Sequence, residues 1–301
     1  MSFSPIIVIG MHRSGTSLIA RVLSRLGIFL GTELNNHEES IFFMRLNQSL
    51  FQLAHSRWDN PQPFEYLMKT FESEPQFNFD ILSFLENTLV SSESMRYWGI
   101  GAKEALEKMD FGSFISAIDQ PWGWKDPRNT YTLPIWLQIF PGAKVIHVYR
   151  NAVDAANSLM TREKNRVNRL QNPTFSCRCL KLNDAFELWV EYVQTALKTI
   201  EKYQPDKVFS VCYENFVTKA RNGLVELGNF LQFALDEQTI LRVTEDVQSS
   251  RAYAFLGNPE LEQFYEDRKY HPMMKAFGYD NLTIKGVNAT QGDNFFKESH
   301  S

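Results

Sequence analysis

The stretch from Pro5 to Leu23, PIIVIGMHRSGTSLIARVL, constrains the fold more than any other part of this chain. Pro5 to Gly10 is a short, β-branched, apolar run, the pattern of a strand buried on both faces in a parallel sheet. After it, Leu18, Ile19, Val22, Leu23 and Leu26 recur at helical spacing with Arg21, Ser24 and Arg25 between them, and Gly27 marks a stop. The order is strand, loop, helix. The loop Gly10 to Ser17 places Ser14, Gly15, Thr16 and Ser17 at a helix N-terminus, where unpaired N–H groups and the helix dipole favour a phosphate-like anion. Gly15 lets the backbone approach such a group closely. The same residues also suit a tight strand-to-helix turn in which glycine serves geometry alone.

A chain of 301 residues with 44% hydrophobic content is long enough for one large α/β domain or two small ones. Its formal net charge of -4 gives no global basic field, so nucleic acid is not an expected partner and any polyanion site must be a local patch. Cys177, Cys179 and Cys212 are too few for a disulfide framework and lack a second pair for a zinc site. Cys177 and Cys179, one residue apart, make neither a redox C-x-x-C nor a comfortable local disulfide, which fits reduced thiols in a cytosol. Pro5 to Gly10 is too short for a signal sequence, and no run approaches the roughly 18 apolar residues of a membrane helix. The expectation is a soluble, cytoplasmic protein with no membrane span.

A nucleotide triphosphatase loop would carry lysine where Thr16 stands. Here the cation lies inside the loop, at Arg13, where it can neutralise a terminal anionic group without a metal. A second strand-to-helix segment runs from Ala143 to Ser158. Val145 to Tyr149 is strand-like, Val153, Ala156, Leu159 and Met160 give the apolar face of a helix, and Arg150 and Ser158 stand eight residues apart. The alternative for Arg150 is a surface i, i+4 pair with Asp154. Two further pieces are Trp122-Gly-Trp-Lys-Asp-Pro-Arg128, and Val208 to Val217 followed by Leu224, Leu227, Phe230 and Leu231.

The loop, with its cation two residues before the glycine, resembles the 5'-phosphosulfate loop of sulfotransferases that use 3'-phosphoadenosine-5'-phosphosulfate (PAPS). The Arg150-x7-Ser158 spacing resembles the same family's grip on the donor's 3'-phosphate. The resemblance is to bacterial-type members, nearest in motif to the tyrosylprotein and heparan enzymes, and covers residues 5 to 235. It implies a three-layer α/β fold like that of the P-loop-containing nucleoside triphosphate hydrolases, with a small, mainly parallel central sheet and helical insertions. It further implies that Arg13, Ser14, Gly15, Thr16 and Ser17 hold the phosphosulfate end, Arg150 and Ser158 the 3'-phosphate, and Tyr213 the adenine. Lys125, in a Lys-Asp-Pro element, would lie near the bridging oxygen. Tyr213 also reads as a core aromatic with its hydroxyl satisfied nearby. Asn215 departs from the family's usual aspartate and is given no role.

The reaction implied is in-line transfer of a sulfuryl group to an acceptor hydroxyl or amine, leaving 3'-phosphoadenosine 5'-phosphate (PAP). Arg13 and Lys125 neutralise charge, a carboxylate serves as general base, and the scheme requires no metal. Pro127 and Arg128 stand where some family members place a catalytic histidine, which excludes that base. Heparan-type enzymes place a glutamate in E-x-x-F-F, and Glu39 fits that pattern before Phe42 and Phe43, with Glu38, His37 and Asp126 as the other candidates. Burial against either phenylalanine would raise the pKa of Glu39. Glu38 and Glu39 also suit the acidic first turn of a following helix.

The remaining pattern is helical: Glu38 to Ala54, Phe64 to Phe71, Phe79 to Leu89 and Lys103 to Ile118 form an insertion over residues 38–120, and Leu182 to Tyr203 is a long helix. A single domain over residues 1–284 and a polar tail over 285–301 follow. Residues 162–181 hold six cations against one acid, Glu163, and read either as a solvated basic loop or as a patch for an anionic or saccharide acceptor. The acceptor itself, a small molecule, glycan or lipid, has no readable code, and neither has the oligomeric state. The rival readings are a P-loop-like nucleotide-binding regulator or kinase-like protein, and a binding module without turnover.

Overall fold

The computed structural model of the protein describes residues 3–99, 109–169, 175–203 and 205–282. The expected tail over 285–301 and the start of the helix expected from Lys103 lie outside the described residues. The chain divides into two compact units, passing between them after Met11, Gly15, Val148, Gln194 and Ser210.

The sheet consists of strands β1 (Ile6–Ile9), β2 (Gly123–Lys125), β3 (Lys144–Tyr149) and β4 (Val208–Cys212), in the order β2-β1-β3-β4, and the first unit holds all of it except Tyr149, Val211 and Cys212. β1 runs parallel to both neighbours, with Ile6 opposite Gly123 on one side and Lys144 on the other. Every residue of β1 is buried, as its unbroken apolar run requires. Because β2 and β3 flank β1 on opposite sides, the carboxyl end of β1 is a topological switch point, the place where such sheets bind ligands. Gly10 ends the strand at φ 137°, and a Cβ there would lie 2.2 Å from the Val148 carbonyl oxygen.

Helices α1 (Thr16–Arg25), α2 (Ile41–Leu53), α3 (Phe64–Ser73), α4 (Pro75–Leu89), α5 (Met95–Trp98), α6 (Phe111–Ala117) and α7 (Asn129–Ile139) surround this sheet. α2 begins later than its periodicity suggests. Glu38 adopts φ 60°, which no α-helix continues, and Ser40 caps the helix by accepting from the Phe43 N–H at 3.4 Å. Glu38 and Glu39 therefore precede the helix instead of forming its first turn. Phe43 stacks on Trp124 at 3.9 Å, with Tyr97, Trp122 and Trp136 edge-on or tilted around the pair.

Within this aromatic core the buried Asn47, Asn129 and Thr132 form a closed polar network. The Asn129 oxygen accepts from Asn47 at 2.7 Å and from the Trp124 indole at 3.0 Å, and its amide donates to the Val8 carbonyl at 3.0 Å. The Asn47 oxygen accepts from Thr132 at 2.8 Å and from Trp136 at 2.9 Å. A fully satisfied buried network of this kind fixes geometry, and here it ties β1, β2, α2 and α7 together beside Lys125.

The second unit contains α8 (Ala152–Arg169), α10 (Tyr213–Thr218), α11 (Ala220–Leu231), α12 (Glu237–Thr244), α13 (Pro259–Arg268) and α14 (Pro272–Ala276), while α9 (Leu182–Ile200) divides between the units. α8 carries Arg162, Lys164 and Arg166 as helix, where a loop was the expectation. The cause is Glu163, buried with its carboxylate accepting from Arg162 Nε at 2.6 Å, Arg166 at 3.3 Å and the Ser176 N–H at 2.8 Å. Residues 170–174 of the basic segment lie outside the described residues.

Candidate active site

In the first unit, the turn before α2 is organised by Asn35. Its side-chain oxygen accepts from the N–H groups of His37 at 2.8 Å and Glu39 at 3.1 Å, and its amide donates to Glu39 Oε2 at 2.7 Å. Lys125, the last residue of β2, donates from Nζ to Glu39 Oε1 at 3.0 Å. The two side chains are 2% and 7% exposed, so this is a buried ion pair between residues far apart in the chain. Burial alone would raise the Glu39 pKa. The Lys125 charge, hydrogen bonds from Asn35 and Lys125, and the more distant Arg128 reverse that and hold it below the ordinary carboxylate value. The upward shift expected from packing against Phe42 and Phe43 is thus overturned by the partners.

Asp126 behaves oppositely. It is completely buried, and burial pushes its carboxyl up, opposed by Arg128 and reinforced by the Glu39 carboxylate. Its Oδ1 accepts from the Arg128 backbone at 2.8 Å and Nε at 2.9 Å, and its Oδ2 has no hydrogen-bond partner among the described residues. Glu38 points elsewhere, 3.7 Å from Arg21 on the surface. Thr16 is buried, and the Gly10 N–H donates to Thr130 Oγ1 at 3.1 Å. The Ser17 hydroxyl donates to the His37 carbonyl at 2.9 Å, which anchors the turn that carries Glu39.

The second unit gathers the cations of the two phosphate motifs. Arg13 sits at φ 71°, a left-handed conformation unusual for a residue with a Cβ, and its Nε donates to Ser158 Oγ at 2.9 Å. Arg150 donates to the Arg13 carbonyl at 3.4 Å, to Asp154 Oδ2 at 3.0 Å and to the Arg251 carbonyl at 2.5 Å. The pair with Asp154 does form, but it is buried, and Asp154 also accepts from the N–H groups of Ala254 and Phe255 at 3.1 and 2.9 Å. Arg150 Nε is buried without a hydrogen bond among the described residues, its nearest acid oxygen being Glu214 Oε1 at 3.9 Å. Glu214, fully buried, accepts from the Asn151 N–H at 3.0 Å and the Tyr279 hydroxyl at 2.8 Å, fixing the turn that follows Arg150.

Ser14 is buried in the same unit. Gly15 adopts φ 95°, and a Cβ there would fall 2.3 Å from the Tyr213 ring. Tyr213 packs against this glycine and beneath the Arg150 guanidinium, 4.6 Å from its ring centroid. Arg13 has a lowered pKa because it is partly buried and because Arg162, Arg150, Arg251 and Arg166 repel its charge. Such crowding of like charge is the electrostatic signature of an anion seat. The motif reading places Arg13 at the transferring group, apart from Arg150 and Ser158. The geometry instead puts its guanidinium on Ser158. Sequence reasoning missed Asn35, Arg251 and the roles of Asp154 and Glu214, of which Asn35, whose side-chain oxygen accepts from the His37 N–H two residues on in an Asx turn, had a local signal.

A glycine-bearing loop after the central strand of a small parallel sheet, with Lys125 ending β2 and Arg150 directly after β3, defines a P-loop-like α/β protein. The family model described as "Sulfotransferase family" matches residues 5–237, and the chain belongs to that family. It is accordingly a sulfotransferase enzyme. Among solved structures it is similar to the sulfotransferase domain from the curacin biosynthetic pathway, with 15% identity over 89% of this chain and 98% of that one and a TM-score of 0.48. The sulfotransferase domain from the Synechococcus PCC 7002 olefin synthase matches at 18% identity over 95% and 91%, with a TM-score of 0.44. A mouse sulfotransferase crystallised with PAP matches at 14% identity over 83% and 65%, with a TM-score of 0.42. No curated protein matches the chain.

Proposed function

We propose that this chain transfers a sulfuryl group from PAPS to a hydroxyl or amine of its acceptor. The observation that carries the reading is the hydrogen bond from Arg13 Nε to Ser158 Oγ, which joins two phosphate motifs lying 145 residues apart. The residues suit such a nucleotide: Arg150 retains a buried Nε without a hydrogen bond among the described residues, and a phosphate would relieve the mutual repulsion of the guanidinia around Arg13. In this reading Arg13, Arg150 and Ser158 hold the 3'-phosphate, the N–H groups from Ser14 to Ser17 face the other end, and Tyr213 orients Arg150. When bound, PAPS supplies an activated sulfuryl group on a phosphate leaving oxygen.

Glu39 is the general base and Lys125 the cation at the transferring end. Both Glu39 oxygens are occupied, one by Lys125 and one by Asn35. Turning Lys125 Nζ toward an anionic donor frees Oε1 to accept the acceptor's proton, and withdrawing the ammonium raises the basicity of the carboxylate at the same moment. Calorimetry tests the donor directly. PAP should bind in EDTA, with ATP and magnesium binding far more weakly; ATP–magnesium binding in the absence of any PAP binding would replace this reading with a nucleotide-binding regulator or kinase-like protein. Acceptors, whether small molecules, glycans or lipids, are then screened with labelled PAPS.

A further inference from the structure

Asn35 and Glu39 are joined by three hydrogen bonds across one short turn of the first unit. The Asn35 N–H donates to the Glu39 carbonyl at 2.9 Å, the Glu39 N–H donates to Asn35 Oδ1 at 3.1 Å, and Asn35 Nδ2 donates to Glu39 Oε2 at 2.7 Å. Between them Glu38, at φ 60°, turns the chain back, and its N–H donates to the Asn35 carbonyl at 3.0 Å. The side-chain oxygen of Asn35 is saturated, because it has two lone pairs and the His37 N–H takes the second at 2.8 Å. A flipped amide would set its oxygen against Oε2 and its NH2 against two N–H groups, so this orientation is fixed. From outside the turn, the Ser17 hydroxyl anchors the His37 carbonyl at 2.9 Å, and Asn35 Nδ2 also meets Met44 Sδ of α2 at 3.6 Å.

The two holders of the Glu39 carboxylate differ in what they can give up. Lys125 Nζ reaches Oε1 at 3.0 Å on a four-carbon stem with rotatable donors, and an anionic donor competes for its charge. Asn35 has no charge to offer an anion, and leaving Oε2 would strand a buried oxygen. Oε2 is therefore the held oxygen and Oε1 the one released. The groups facing Glu39 act in the same sense: burial raises its pKa, but the Lys125 charge, the hydrogen bonds of Asn35 and Lys125, and Arg128 bring it below the ordinary value, while Asp126 is the nearby acid whose own carboxyl Glu39 pushes up.

We propose that Asn35 is the positioning residue of the base: it keeps Oε2 and so presents Oε1 to the acceptor's proton. This rests on the sulfuryl-transfer reading above. Asn35→Asp tests it, because aspartate forms the same turn through one oxygen while the other sets an acceptor where Oε2 needs a donor. A residue that only shaped the turn would tolerate the change. The rate is followed with labelled PAPS, as transfer to water giving PAP and labelled sulfate, and to any acceptor that the screen returns. Carboxyl-13C NMR of glutamate-labelled protein follows Glu39, assigned through Glu39→Gln. Asn35→Asp should slow transfer roughly tenfold, move the Glu39 titration up by about one pH unit and leave PAP affinity unchanged. In the Glu39→Gln background it should slow transfer no further.

A wild-type rate or an unmoved Glu39 titration in Asn35→Asp overturns the proposal, as does further slowing in the Glu39→Gln background. Weakened PAP binding would make Asn35 a support of the donor loop through Ser17, and overturns it too. Each of these outcomes leaves sulfuryl transfer standing. PAP binding without transfer by the wild type, to water or to any screened acceptor, removes the reaction and this inference with it.

Discussion

The buried Lys125–Glu39 pair and the guanidinium cluster around Arg13 solve opposite electrostatic problems. In the first, one cation meets one anion at 3.0 Å, and Asn35 satisfies the second carboxylate oxygen, so the charges are balanced with no ligand present. In the second, the half-buried Arg13 lies in the field of four other guanidinia, and the acids nearby also hold backbone: Asp154 the Ala254–Phe255 N–H groups, Glu163 the Ser176 N–H and Glu214 the Asn151 N–H. The pair is balanced within the protein, whereas the guanidinia around Arg13 outnumber the carboxylates Asp154 and Glu163 that pair with them. The first is therefore expected to govern stability and turnover, the second donor affinity.

The largest effect should come from breaking the pair. Lys125→Met leaves Glu39 buried without its partner and should cost about 3 to 5 kcal/mol in stability by urea unfolding. Adding Glu39→Gln to that variant should recover much of the loss. If Lys125→Met were as stable as wild type, the pair would be solvated and the contrast with the arginine cluster would disappear.

Next in size, Glu39→Gln keeps the shape and the Asn35 contact but cannot take a proton, and should lower turnover about 100-fold while leaving PAP affinity intact. Glu38→Gln, on a residue facing Arg21, should change little. A dead Glu38→Gln with an active Glu39→Gln would move the base by one residue. Activity in both would make Asp126, whose Oδ2 has no hydrogen bond among the described residues, the residue to test.

In the cluster, Arg150→Ala should weaken PAP binding by about 2 kcal/mol in calorimetry, with a smaller loss at high salt where the field is screened. Arg13→Ala should weaken PAP as well as slow turnover, because its guanidinium lies on Ser158. A pure kcat effect at Arg13 would return it to the transferring group alone.

The β1 loop and α1, and β3 with the start of α8, announce themselves because apolar periodicity and the Arg13, Arg150 and Ser158 spacings lie within single short segments. The start of α2 was misplaced because Glu38 enters a left-handed turn that no periodicity encodes. Helix continuing through Arg162 and Arg166 was hidden because its support is a buried carboxylate partnered 13 residues on, at Ser176. The contacts of Arg150 with Arg251 and of Asp154 with Phe255 span about a hundred residues and have no local trace. The sign of the Glu39 shift was missed for a related reason: burial is visible in a hydrophobic pattern, but the Lys125 that reverses it lies 86 residues away.

The smallest expected effect is a flat pH profile, and it separates the two regions without a mutation. The folded-state pKa of Glu39 lies below its ordinary 4.5, so the pair's contribution to stability is fully present above that value and is lost as pH falls through the lower folded value. In the donor-free enzyme, unfolding free energy from this pair should stay constant across neutral pH and drop on the acid side of pH 4.5; comparing wild type with Glu39→Gln isolates it. With PAPS bound, Lys125 turned toward the donor no longer depresses Glu39, so the acid limb of kcat should lie at higher pH than the acid limb of the stability difference. Coincident limbs would mean that Lys125 stays on Glu39 throughout the reaction, and the base would have to act through Oε2 with Asn35 giving way instead.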